Sequence, residues 1–166
     1  MNSKQGRTIL AIDPGTRYIG IAVMDGDELV YHGVKTLRRR SSPHEGLAQV
    51  KAFTQRLLRD FNPDLLVIER AFMIRSRTAG LLNVIVDEMR AIGARHGVTV
   101  RTLAPATVRK RLCGSGRATK RDVARAIVDR YPELRVYLGQ NRKWKERFHG
   151  NMFDAIALGL VASHES

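Results

Sequence analysis

Leu65 to Ile68 form an unbroken apolar run between Asn62-Pro63-Asp64 and the charged pair Glu69-Arg70. A short apolar run bounded by proline and by charge is the pattern of a strand buried on both faces, which needs partner strands at its sides and helices above and below. Three candidate partners precede it. Thr8 to Ile12, Tyr18 to Met24 and Glu28 to Val34 are strand-like runs, each closed by Gly, Asp or Pro, and their close succession predicts an antiparallel meander. A fifth run, Val98 to Leu103, follows.

Between these runs the apolar period is helical. Pro43 to Phe61 places Leu47, Val50, Phe53, Leu57 and Leu58 on one face, and Pro63 ends that helix. Thr78 to His96 carries a core stripe of Leu81, Ile85, Met89 and Ile92, which Leu82 and Val86 widen enough to suggest a subunit interface. Further helices are expected near Pro105, from Thr119 to Tyr131 after a Gly-rich turn at Gly114 to Gly116, and from Met152 to His164 with Phe153, Ile156, Ala157, Leu160 and Val161 inward. The stretch from Pro132 to Asn151 is polar and basic around Trp144 and predicts a loop or a loosely held hairpin. The expected fold is α/β: a mixed five-stranded sheet, three antiparallel strands then two parallel ones, flanked by helices. At 166 residues, the whole of 1–166 is expected to be one domain.

No apolar run approaches the roughly 18 residues of a membrane span. The polar start, Met1 to Thr8, leads into a short apolar stretch without a secretory h-region, so an intracellular, cytoplasmic protein with no membrane partner is expected. Cys113 is the only cysteine, which excludes an internal disulfide and leaves oxygen or nitrogen to hold any metal. The formal charge of +13 attracts polyanions, nucleic acid being the commonest. The charge is clustered at Lys35, Arg38, Arg39 and Arg40, at Arg109, Lys110, Arg111, Arg117, Lys120 and Arg121, and at Arg142, Lys143, Lys145 and Arg147. Such clusters suit a phosphate backbone. A merely solvated basic surface is the alternative.

Two acids stand at comparable places, Asp13 after the first apolar strand and Glu69 after the strand that follows the first helix. If those strands are neighbours, the carboxylates converge at the strand ends, where ligands gather in such sheets. Asp154 is expected in the first turn of the last helix, where the dipole favours negative charge, three residues after Asn151 on the same side. Carboxylates gathered without matching cations repel, and Mg²⁺ or Mn²⁺ is the usual remedy. Each acid also has a plainer explanation. Asp13 suits a Pro-Gly turn, Glu69 suits an ion pair with Arg70 or Arg75, and Asp154 suits a helix N-terminus.

Four segments carry a family resemblance. Ile12-Asp13-Pro14-Gly15-Thr16 with Gly20-Ile21-Ala22 resembles the first motif of the RuvC Holliday-junction resolvases of the RNase H-like superfamily. Val67-Ile68-Glu69-Arg70-Ala71-Phe72 resembles the second, Gly114-Ser115-Gly116-Arg117-Ala118-Thr119-Lys120 the Gly-rich basic segment, and Asp154-Ala155-Ile156-Ala157-Leu158 the start of the closing helix. They occur in the family's order across most of the chain.

The resemblance implies an RNase H-like fold and a homodimeric endonuclease that binds four-way DNA junctions and nicks two opposed strands with divalent metal. Asp13 would be shared by two Mg²⁺ ions, with Mn²⁺ substituting, and Glu69 and Asp154 would complete the set. Lys120 matches a lysine near the scissile phosphate. Phe72 matches an aromatic on which an unpaired base stacks. Arg75, Arg77, Arg109, Lys110 and Arg117 would line the DNA path with Lys120.

Two departures stand out. Asn151 occupies a position where the family usually has Asp or His, so either its amide oxygen or His149 would complete the metal site, and the basic segment around Trp144 is an added DNA-binding element or a packed loop. The alternatives are a nuclease of the same fold for other branched DNA or structured RNA, and a junction-binding protein with impaired cleavage. A kinase-like phosphate-binding domain, suggested by Asp-Pro-Gly-Thr, would need a second domain to close over nucleotide.

Overall fold

The structure is a computed structural model that describes residues 6–38, 42–70, 77–139 and 143–165, with 77–78 and 143–147 described by backbone alone. The strands β1 (Thr8–Asp13), β2 (Tyr18–Asp25), β3 (Glu28–Thr36), β4 (Leu65–Glu69) and β5 (Thr99–Leu103) form one sheet in the order β3-β2-β1-β4-β5. The first three pair antiparallel, whereas β4 runs parallel to β1 and β5 parallel to β4. The expected mixed sheet is present, and the first strand and the unbroken apolar strand are neighbours.

Side chains alternate between the faces of a strand. Ile9, Ala11, Ala22, Met24, Leu65 and Val67 therefore join one buried cluster, and Leu10, Ile12, Ile19, Ile21, Val23, Leu66 and Ile68 the other. The helices α1 (Pro43–Phe61) and α2 (Arg77–Arg95) cover the second face, and α3 (Pro105–Cys113), α4 (Lys120–Arg130) and α5 (Lys143–Ser163) cover the first. Burying one large aliphatic side chain contributes about 1.5–3 kcal/mol. Ile9, Leu10, Ile12, Leu65, Leu66 and Ile68 are fully buried, so the central strands anchor the fold.

Local signals explain the helix ends. Ser42 Oγ accepts from the Glu45 N–H at the start of α1, with Pro43 in the first turn. Asn62 closes that helix in the left-handed region at φ 43°, its N–H donating to the Leu58 carbonyl, and Pro63 prevents continuation. Thr119 and Asp122 cap each other's backbone N–H groups at the start of α4, a reciprocal arrangement that fixes the residue that follows, Lys120.

Two expectations fail in the C-terminal third. Pro132 to Asn151 is not a loop or hairpin: a 3-10 helix spans Pro132–Tyr137, and α5 begins at Lys143 rather than Met152. The segment lacks an apolar period, but residues such as Lys, Glu and Arg are good helix formers. Its anchors are aromatic instead. The Phe148 ring meets Tyr18 edge-on at 5.5 Å, and His149 lies 4.8 Å from Tyr137. Asp154 consequently lies about three turns inside α5, so the expected stabilisation by a helix N-terminus does not apply. On α2, Ile85, Val86, Met89 and Ile92 are buried, Leu81 and Leu82 are half-buried, and Val84 remains 49% exposed.

Candidate active site

Asp13 and Glu69 end β1 and β4, one residue beyond the paired Ile12 and Ile68. Alternation from Ala11 and Val67 directs both carboxylates to the face covered by α5. That helix packs across β1 and β2 and brings Asp154 over the strand ends. Asp13, Glu69 and Asp154 each offer an oxygen, and these oxygens all lie within 4.8 Å of one another. The convergence conditional on neighbouring strands therefore occurs.

The electrostatics are those of excess negative charge. Burial is the main influence pushing the Asp13 carboxyl well above the usual carboxylate range, and the charges of Glu69 and Asp154 add to it. Burial also raises Glu69; a hydrogen bond with Asp13 opposes the rise, Asp154 adds to it, and Lys120 and Arg109 pull it down. The described cation in direct contact is Lys120, whose Nζ lies 3.3 Å from Asp154 Oδ2. Three hard oxygen donors, two of them pushed toward the neutral form chiefly by burial, fit a divalent cation. Among the described residues, no other group of His, Cys, Asp or Glu is arranged to share an ion. His149 does not join the group, its ring being packed against Tyr137 and Phe148. Asn151 lies three residues before Asp154, on the same side of α5.

The basic residues distribute unevenly around this centre. Arg109 is half-buried on α3 and acts on Glu69 through space, while Lys110, Arg117, Lys120 and Arg121 are exposed on α3, α4 and their connection. Arg111, in the same sequence cluster, is instead paired with Glu165, which also holds Arg101. Lys35 lies over the Phe53 ring at 5.7 Å and Arg38 is exposed. Phe72, Arg75, Arg39, Arg40 and Arg142 fall outside the described residues, as do the side chains of Arg77, Lys143, Trp144, Lys145 and Arg147. Arg17 was not among the sequence candidates, because no second cation adjoins it in the chain. It is exposed in the connection that leaves Asp13, with its guanidinium 5.3 Å from the Tyr18 ring centre.

A sheet of this order, with acids at the ends of its first and fourth strands and on its last helix, defines an RNase H-like fold with an acidic centre at the strand ends. Comparison with known proteins narrows the class. The family model described as crossover junction endodeoxyribonuclease RuvC matches residues 9–138. A crossover junction endodeoxyribonuclease RuvC from Akkermansia muciniphila is 29% identical over 158 residues, covering 92% of this chain and 88% of the relative. Its counterpart from Bradyrhizobium sp. (strain ORS 278) is 31% identical over 171 residues, covering 94% and 86%. Thermus thermophilus RuvC, solved in complex with a Holliday junction substrate, superposes with a TM-score of 0.74 at 20% identity, covering 96% of this chain and 94% of that one. The chain belongs to the crossover junction endodeoxyribonuclease RuvC family.

Proposed function

We propose that this protein binds four-way DNA junctions and resolves them by paired, symmetric nicks through metal-dependent phosphodiester hydrolysis. One observation carries the reading: three carboxylates from β1, β4 and α5 gather within 4.8 Å beside Lys120, in a chain of this family with a charge of +13. Asp13, Glu69 and Asp154 are the catalytic acids and metal ligands, with the Asn151 amide oxygen as a neutral fourth. Two Mg²⁺ ions, replaceable by Mn²⁺, would supply Lewis-acid stabilisation of the phosphoryl oxygens and an activated water.

The chain's own groups do the rest. Burial and the neighbouring negative charges favour the neutral form of the Asp13 carboxyl, and a cation held in the centre would favour its carboxylate instead. Lys120, fixed at the start of α4, offsets charge developing on the phosphoryl group. Arg109, Lys110 and Arg117 hold the DNA backbone together with Arg75 and Arg77, and Phe72 receives an unpaired base.

One chain carries one such acidic centre among its described residues, so opposed nicks require two copies. A homodimer supplies them, and the half-exposed Val84 with the half-buried Leu81 and Leu82 supports α2 as its interface. The span 1–166 acts as a single nuclease domain, and its place of work is the cytoplasm. No described helix is long and apolar enough to cross a membrane.

The test is a labelled four-way junction incubated with Mg²⁺ and, in parallel, with chelator. Symmetric nicks on two opposed strands that vanish with chelator are expected. Equal cutting of structured RNA or other branched DNA would favour a broader nuclease, and tight binding without cuts a junction-binding protein.

A further inference from the structure

Gly20 of β2 stands directly opposite Asp13 of β1 in the antiparallel ladder. Opposed residues project to the same face, so a side chain at position 20 would rise beside Asp13 toward α5. There is no space for one. A Cβ built at Gly20 overlaps the carbonyl oxygen and carbon of Asn151 and comes within 3.1 Å of the Met152 nitrogen. All three are backbone atoms of α5, which no change of rotamer can move aside. Asn151 precedes Asp154 by three residues, less than one helical turn.

We propose that Gly20 is a positioning residue for the metal centre: by carrying no side chain it lets the α5 backbone rest on the sheet and sets the height of the Asp154 carboxylate above Asp13 and Glu69. The proposal rests on the metal-site reading above. A glycine inside a strand often marks such a close approach, at a cost in strand stability. Gly159 provides the internal contrast. Gly159 lies more than a turn beyond Asp154, and a Cβ there meets Met24 Cγ at 2.9 Å and Ala11 Cβ at 3.3 Å, the nearer atom belonging to a flexible side chain. Both glycines let α5 pack closely on the sheet, but only Gly20 lies level with the acids.

The experiment titrates the full chain with Mn²⁺, without DNA, and follows the free-ion electron paramagnetic resonance signal. Wild type is expected to bind and Asp13→Asn to lose most binding. Gly20→Ala is expected to weaken Mn²⁺ affinity at least tenfold and to raise the Mg²⁺ midpoint of junction cleavage in parallel, while junction affinity in chelator changes less than twofold. Gly159→Ala is expected to lower the melting temperature with Mn²⁺ affinity unchanged. Adding Asp154→Glu, one methylene longer, to Gly20→Ala is expected to recover part of the lost affinity.

Wild-type Mn²⁺ affinity in Gly20→Ala, or an equal loss in Gly159→Ala, overturns the positioning role while leaving the metal-site reading intact. Indistinguishable binding by wild type and Asp13→Asn overturns that reading and the proposal with it. If Gly20→Ala yields no folded protein, Ala22→Val replaces it, two residues along β2 on the same face. A weaker shift in the same direction is then expected, and unchanged affinity overturns the proposal.

Discussion

The Lys120 ammonium and the Asp154 carboxylate, 3.3 Å apart, join the first residue of α4 to a point about three turns inside α5. Lys120 is two-thirds exposed, so this pair contributes under about 1 kcal/mol to folding. Its importance lies in the field at the acidic centre. Lys120→Met is expected to leave the melting temperature within about 2 °C of wild type. Single-turnover cleavage of a four-way junction should fall by about 10²-fold or more. Unchanged cleavage would remove Lys120 from the catalytic group.

Asp13→Asn should abolish cleavage and yet stabilise the metal-free protein. A carboxyl whose pKa is higher in the folded state contributes stability that is fully present below its unfolded pKa and is lost as pH rises through the folded value. Asp13 is such a group, raised from 3.8 chiefly by burial. In chelator, the melting temperature of Asp13→Asn should exceed that of wild type by a margin that widens as pH rises above about 4. A margin that narrows over the same range contradicts the assignment.

Proton and metal compete for the same oxygens. Since Asp13 and Glu69 are both raised, at fixed Mg²⁺ the cleavage rate should fall with decreasing pH while ordinary carboxylates are still ionised. More Mg²⁺ should move this acid limb to lower pH. Rate profiles at two Mg²⁺ concentrations test it, and a limb indifferent to the metal would count against carboxylate ligands.

Asn151 brings an oxygen but no charge to the turn before Asp154. Asn151→Asp should lower the Mg²⁺ midpoint of cleavage several-fold and further destabilise the metal-free protein, because a fourth acid joins an already repulsive cluster. An unchanged midpoint would place position 151 outside the metal's reach.

Much of this arrangement was legible in the sequence because it rests on short-range patterns. The unbroken Leu65 to Ile68 run, ended by Glu69, marked the buried strand, whereas its adjacency to the strand ending at Asp13 entered only as a condition, which the parallel pairing of β1 with β4 meets. The start of α5 was not legible. Lys143 to Asn151 carries no apolar stripe, and its anchors, Phe148 on Tyr18 and His149 on Tyr137, are contacts between residues distant along the chain. Asp154 does lie with Asp13 and Glu69, but the helix-terminus argument for it was wrong because three more turns precede it. Gly20 was legible only as part of a motif. Its role depends on which helix lies above it, information that resides in the packing.

The central claim is that Asp13, Glu69 and Asp154 together hold divalent cations at the end of the sheet. Anomalous diffraction at the manganese edge from crystals soaked in Mn²⁺ tests it most directly. The account predicts strong density bridging oxygens of all three residues, lost in Asp13→Asn. Manganese bound elsewhere, or bound there with Asp154 turned away, would contradict it.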